Sequence, residues 1–208
     1  MLLSSLLEKK NMATELLELC KTNLYDTDKF STNNTIAKWI EVKHSYVESV
    51  YGELFKRIRL TKNVLEIGIW NGGSHLLWRD YFPEANIVGI DIKHCAALDN
   101  QSRIVQIIAD AYTEQTSNLF KDDFFDLIID DGPHTLESIK LAIQYYLPKL
   151  SENGMMCIED IDEYSWLYQL SSIVPPEMQK CIKVFDLREK DKKKDSTLMV
   201  IDKGELNG

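Results

Sequence analysis

The 208-residue sequence has four cysteines, Cys20, Cys95, Cys157 and Cys181, and no C-x-x-C pair. Nothing therefore supports a zinc knuckle, a thioredoxin-type redox motif or a disulfide framework, which fits a reducing cytoplasm. Glycine and proline are sparse, at nine and five residues, and no Gly-, Ser- or Pro-rich linker or internal repeat divides the chain. No apolar run approaches the roughly 20 residues that span a bilayer. The opening MLLSSLLEKK places Glu8, Lys9 and Lys10 after its leucines and no positive segment before them, which argues against a secretory signal. Basic residues are in deficit, with 24 Lys+Arg against 33 Asp+Glu and a net charge of −9. That balance, with a pI near 5.0, argues against a broad nucleic-acid surface, whose affinity comes from clustered Lys and Arg.

What is present is an ordinary globular composition, 44% hydrophobic and 27% charged. A chain of this length buries about 70% of its unfolded surface and needs no staple. Leu2, Leu3, Leu6, Leu7, Leu16, Leu17 and Leu19 have helical spacing, so the first 20 residues read as one or two amphipathic helices. Residues 22–34 are polar and read as a loop, and residues 35–60 return to helical spacing.

From Val64 the rhythm changes to short apolar strands alternating with helical segments. Strands are expected at 64–67, 87–90, 104–108, 125–129 and 155–158, with helices at about 74–82 and 135–147 and a turn at 151–154. This alternation implies βαβ units and a parallel sheet covered on both faces. Residues 181–187 and 197–202 flank a charged turn, Arg188–Ser196, and read as an antiparallel hairpin.

Ligands of open α/β sheets bind beyond the carboxyl ends of the strands. Here those ends carry Glu66, Asp91, Asp110, Asp130, Asp131, Glu159 and Asp160. Such acids repel one another unless something cationic sits among them, and a metal ion or a cationic cofactor would answer. The first strand runs into Glu66-x-Gly68-x-x-x-Gly72-Gly73, a turn in which glycine lets the backbone approach a ligand. It is not the G-x-G-x-x-G dinucleotide fingerprint, which counts against a nicotinamide dehydrogenase. Asp91 ends the second strand, where a carboxylate can accept from both ribose hydroxyls. His134, in Asp130-Asp131-Gly132-Pro133-His134, would stand just past a strand end, where a neutral imidazole can take a proton. Asp131, Glu159 and Asp160 would offer hard oxygen ligands suited to Mg²⁺, provided the chain turns after the fifth strand.

At these residues the sequence resembles the class I S-adenosylmethionine-dependent methyltransferases, and more narrowly the metal-dependent sugar O-methyltransferases of the macrocin and mycinamicin type. The resemblance rests on VLEIGIWNGGSHLLWRDYFPEANIVGIDI, LIIDDGPHTLES, GMMCIEDI and VFDLREKDKKKDSTLMVIDK, with looser matches in TDK at 27–29 and KHSYVESVYGELF at 43–55. It implies a Rossmann-like α/β fold with a seven-stranded sheet, mostly parallel with a C-terminal antiparallel hairpin, and helices on both faces. It implies an N-terminal helical extension or lid over 1–60 and the methyltransferase domain over 61–208.

By this resemblance Glu66, Gly68, Gly72 and Ser74 hold the methionine part of S-adenosylmethionine and Asp91 holds the ribose. Asp110 and Ala111 lie near adenine, and Asn71, Ile92 and Asp130 complete the cofactor contacts. Asp131, Glu159 and Asp160 correspond to ligands of Mg²⁺, Asp131 and His134 to the catalytic pair. His44, Tyr46 and Tyr51 are candidates to close over the cofactor carboxylate. The relatives' long insertions are missing, and Pro133 replaces a small polar residue beside His134.

The expected reaction is in-line methyl transfer to a sugar hydroxyl of a glycan, nucleotide sugar or glycosylated metabolite. The expected partners are a small-molecule or glycan acceptor and possibly a second copy of the chain, with no nucleic acid and no membrane. Two alternatives stand beside it: a methyltransferase acting on an amine, phosphate-type group or catechol, and a non-catalytic methyltransferase-like binding module.

Overall fold

A computed structural model describes residues 46–207 except Lys192 and, before them, residues 15, 16, 18–20, 22, 23, 25, 27 and 29. The remaining positions of the helices expected over 1–20 and 35–60 lie outside the described residues, as does His44. Within the described part, a π-helical turn, Val47–Tyr51, continues into the helical turn Gly52–Leu54.

Seven strands follow: β1 (Asn63–Ile67), β2 (Asn86–Asp91), β3 (Ile104–Ile108), β4 (Phe125–Asp130), β5 (Leu150–Ile158), β6 (Ile182–Asp186) and β7 (Thr197–Asp202). They form one sheet in the order β3-β2-β1-β4-β5-β7-β6. The first five run parallel, and β7 pairs antiparallel with both β5 and β6. The chain steps outward from β1 in both directions, so a crevice forms at the strand ends between β1 and β4.

Among the described residues, helices α1 (Gly73–Tyr81), α2 (Leu136–Tyr146) and α3 (Trp166–Ile173) pack on the sheet. Strand alternation divides the core between the two faces. Val64, Leu127, Ile129, Met155, Cys157, Leu198 and Val200 face Leu77, Trp78 and Tyr81 of α1, together with Val50, Tyr51 and Phe55. Leu65, Ile128, Met156, Ile158, Met199 and Ile201 face Ile139, Ala142 and Ile143 of α2 and Leu167 and Leu170 of α3. The period of two places neighbours on opposite faces, and helices on both sides make near-continuous apolar strands necessary.

Two local features fix the helix positions. Thr135 and Ser138 cap α2 reciprocally, an arrangement worth about 1 kcal/mol. Tyr51 stacks on Phe55 with centroids 4.5 Å apart, and both meet Trp78 edge-on at 5.9 and 5.5 Å. Each such pair contributes about 0.5–1.5 kcal/mol beyond burial, so this cluster ties the Tyr51 turn to α1.

The sheet and hairpin agree with the sequence pattern, with local differences. The expected turn at 151–154 is instead part of β5, entered through a register irregularity opposite Phe125 and Leu127. The charged hairpin turn contains a helical turn, Arg188–Asp191. Helix α3 was not marked by the apolar spacing.

Candidate active site

The five parallel strands end on one edge, and main-chain hydrogen bonds carry the pairing past them. Gly68 N donates to Ile90 O (2.9 Å), Asp131 N to Ile67 O (3.0 Å) and Glu159 N to Asp130 O (3.0 Å). The turns after β1 and β4 therefore touch. Gly68 has φ +92°, and a Cβ there would lie 2.1 Å from the Asp131 carbonyl oxygen. At Gly132 a Cβ would lie 1.9 Å from the Tyr112 hydroxyl. Both glycines are demanded by close approach, and Gly68 also by its left-handed backbone.

Three non-glycine residues on this rim share that left-handed conformation: Trp70 after β1, His134 after β4 and Asp160 after β5. Such strain is costly and clusters at functional sites. At Asp160 it has a visible result, because the chain turns after β5 and adjacent acids go to different partners. Tyr46 donates to Asp160 Oδ1 at 2.6 Å, and Tyr51 donates to Glu159 Oε1 at 2.5 Å. Burial and the neighbouring carboxylates push both phenols well above their ordinary pKa, so they remain donors.

Asp131, His134 and Asp160 each present a ligand atom within 4.8 Å of the others. His134 Nε2 stands 3.7 Å from Asp131 Oδ1. Glu159 is not in that trio: its Oε2 is 3.1 Å from Lys29 Nζ, which also lies 2.5 Å from Asp131 Oδ2 and 3.1 Å from Glu66 Oε1. Glu66, Asp130, Asp131, Glu159 and Asp160 thus meet at one edge, and among the described residues Lys29 is the only Lys or Arg ion-paired to any of them. Two carboxylates in reach of one point, with an imidazole beside them, fit a divalent cation.

The other residues expected from the sequence fall around this centre. Glu66 is fully buried and accepts from Trp78 Nε1 at 2.9 Å. Asp91 Oδ2 accepts from Ile69 N (2.8 Å) and Trp70 N (3.4 Å), and Oδ1 accepts from Lys93 N (2.9 Å). Although burial alone would raise the Asp91 carboxyl, these amides bring it below the ordinary value. Gly72 and Ser74 are buried at the start of α1, while Asn71 is exposed. Ile92 is 70% exposed beside Asp91, as an uncovered ligand wall would be.

Asp110 is exposed and accepts from Tyr112 N (2.9 Å), and Ala111 is buried with its carbonyl accepting from Tyr146 (2.8 Å). Asp130 lies beneath the rim on the Tyr112 hydroxyl (2.7 Å), and burial pushes its carboxyl up to about 6 against that hydrogen bond.

Three participants were not read from the sequence in these roles. Tyr46 and Tyr51 bind the acids after β5 rather than standing only over a cofactor carboxylate. Lys29 enters the centre from far upstream. Its one signal was the TDK match, because a lone lysine carries no mark of burial.

A family model described as a methyltransferase domain matches residues 65–161. The same span holds the acidic rim. The chain is 28% identical to demethylmacrocin O-methyltransferase of Streptomyces fradiae over 160 residues, 71% of this chain and 39% of that protein. It is 30% identical to mycinamicin VI 2''-O-methyltransferase of Micromonospora griseorubida over 112 residues, covering 50% and 28%. The chain thus spans well under half the length of these curated relatives. Among solved structures it is similar to the MycE methyltransferase in complex with Mg, SAH and mycinamycin VI, with a TM-score of 0.67, 22% identity, and coverage of 91% of this chain and 53% of that one. This likeness shows a shared fold. No helix among the described residues is long and apolar enough to cross a membrane.

Proposed function

We propose that the protein is an S-adenosylmethionine-dependent O-methyltransferase that methylates a sugar hydroxyl with the help of a divalent metal, most simply Mg²⁺. The observation that carries this reading is the convergence of Asp131, His134 and Asp160 within 4.8 Å at the rim of a methyltransferase fold. The relatives named for sugar O-methylation support the acceptor class.

S-adenosylmethionine, when bound, supplies an electrophilic methyl carbon, and a divalent ion supplies charge that acidifies an acceptor hydroxyl. The chain's own residues do the rest. Asp91, fixed by three backbone amides, offers its remaining lone pairs to ribose hydroxyls. The Gly68–Gly72 turn lets the backbone come close to the cofactor. Glu66, Asp130 and the rim acids favour a sulfonium over a neutral thioether. Asp131 and Asp160 would hold the metal, with Asp160 oriented by the Tyr46 hydroxyl. His134, half-buried beside Asp131, takes the hydroxyl proton. Tyr168, 84% exposed beyond Asp160, offers a ring face to a sugar, while the Arg188 guanidinium lies over the Tyr164 ring.

On this reading residues 1–60 are an N-terminal extension or lid and residues 61–208 the catalytic domain. The acceptor is a small molecule or glycan, with a second copy of the chain as a possible partner, and the net charge of −9 disfavours nucleic acid. Four buried free thiols suit a reducing cytoplasm.

The test is methyl transfer from S-adenosylmethionine to a panel of nucleotide sugars and glycosides. Turnover is expected with Mg²⁺, is abolished by EDTA, and falls at least about 100-fold in His134→Ala with cofactor affinity kept. Turnover that is indifferent to EDTA and to His134→Ala would overturn the mechanism.

A further inference from the structure

The Lys29 ammonium sits where a metal would compete with it. Its Nζ is 2.5 Å from Asp131 Oδ2 and 3.1 Å from Glu159 Oε2, and the side chain is 1% exposed. Asp131 is therefore shared: Oδ2 takes the ammonium, while the residue also belongs to the trio with His134 and Asp160. Lys29 belongs to no strand, so a separate piece of chain brings this charge to the strand ends. A fixed ammonium attracts these carboxylates and repels any second cation brought to the same oxygens.

We propose that Lys29 is a tethered counter-ion that competes with a divalent metal for Asp131 and Glu159, so that metal binding and withdrawal of Lys29 are one coupled event. The proposal rests on the metal-assisted reading above. Withdrawal of the ammonium releases Glu159 Oε2 from its ion pair, while Oε1 stays on the Tyr51 hydroxyl. Asp131 and Glu159 would then exchange the ammonium for the ion at these oxygens. Because coupling is reciprocal, the metal loosens Lys29 by the same factor that Lys29 weakens the metal.

The test is calorimetric titration of Mn²⁺ into the full-length wild type, Lys29→Met and Lys29→Arg. Lys29→Met is expected to bind Mn²⁺ about tenfold more tightly, a usual size for coupling between sites, and Lys29→Arg, which keeps the charge, to stay near the wild type. Equal or weaker binding by folded Lys29→Met overturns the counter-ion role. Removing the ammonium leaves buried acids facing one another, so a second measurement uses the wild type alone. Pulsed acetylation read by mass spectrometry should find Lys29 protected without metal and several-fold more reactive with saturating Mn²⁺, with exposed Lys62 as the internal reference. Unchanged reactivity of Lys29 under Mn²⁺ saturation overturns the proposal. If the wild type and Lys29→Met both fail to bind Mn²⁺, the metal-assisted reading falls along with it. If both bind equally well, the counter-ion proposal falls alone.

Discussion

The hydroxyl of Tyr46 donates to Asp160 Oδ1 at 2.6 Å, joining residues 114 positions apart in the chain. The bond orients a carboxylate proposed to hold the metal. Partners of this kind tune metal affinity by about 10- to 100-fold. Tyr46→Phe should weaken Mn²⁺ binding by at least about tenfold and lower turnover in parallel, with SAH affinity little changed. Calorimetry with each ligand separates the two, and a loss of SAH binding alone would place Tyr46 on the cofactor instead.

Gly68→Ala tests the contact between the turns after β1 and β4. A methyl group there would lie 2.1 Å from the Asp131 carbonyl, at a φ of +92°. Relief requires backbone movement at the centre of the site, so the expected cost is about 2 kcal/mol or more, together with loss of SAH binding. Urea unfolding checks the first and calorimetry the second. A variant with wild-type stability and affinity would show that the turns are not locked together.

Much of this site was legible in the sequence because the relevant signals are local. Apolar strands ending in acids placed Glu66, Asp91, Asp131, Glu159 and Asp160 on one edge, and parallel topology did the rest. Which acid faces which partner was not legible. Glu159 and Asp160 separate because Asp160 adopts a left-handed backbone, a conformation that no pattern in I-E-D-I announces. Lys29 and Tyr46 reach the acids through contacts more than 100 residues apart in sequence, and periodicity carries no information about such pairings. The turn expected at 151–154 was absorbed into β5, since Gly and Asn there permit an irregular strand as readily as a turn.

His75 supplies a pH prediction. It is fully buried, with Nδ1 3.2 Å from Glu66 Oε2, and burial holds its pKa below the ordinary 6.5 despite that carboxylate. Below pH 6.5 the unfolded chain binds a proton that the native state refuses, so stability is lost as pH falls through this value. The slope approaches about 1.4 kcal/mol per pH unit for one proton. Urea denaturation between pH 7.5 and 5.5 should give a steeper decline for the wild type than for His75→Gln. Parallel declines would contradict the neutral, buried imidazole.

The most direct test of the central claim is calorimetric titration of the wild type and Asp91→Asn with SAH, in Mg²⁺ and again in EDTA. The wild type is expected to bind in both conditions and Asp91→Asn at least about tenfold more weakly, as for losing a hydrogen bond to a charged group. Absence of binding by well-folded wild type in both conditions would contradict it and leave a methyltransferase fold used for some other purpose.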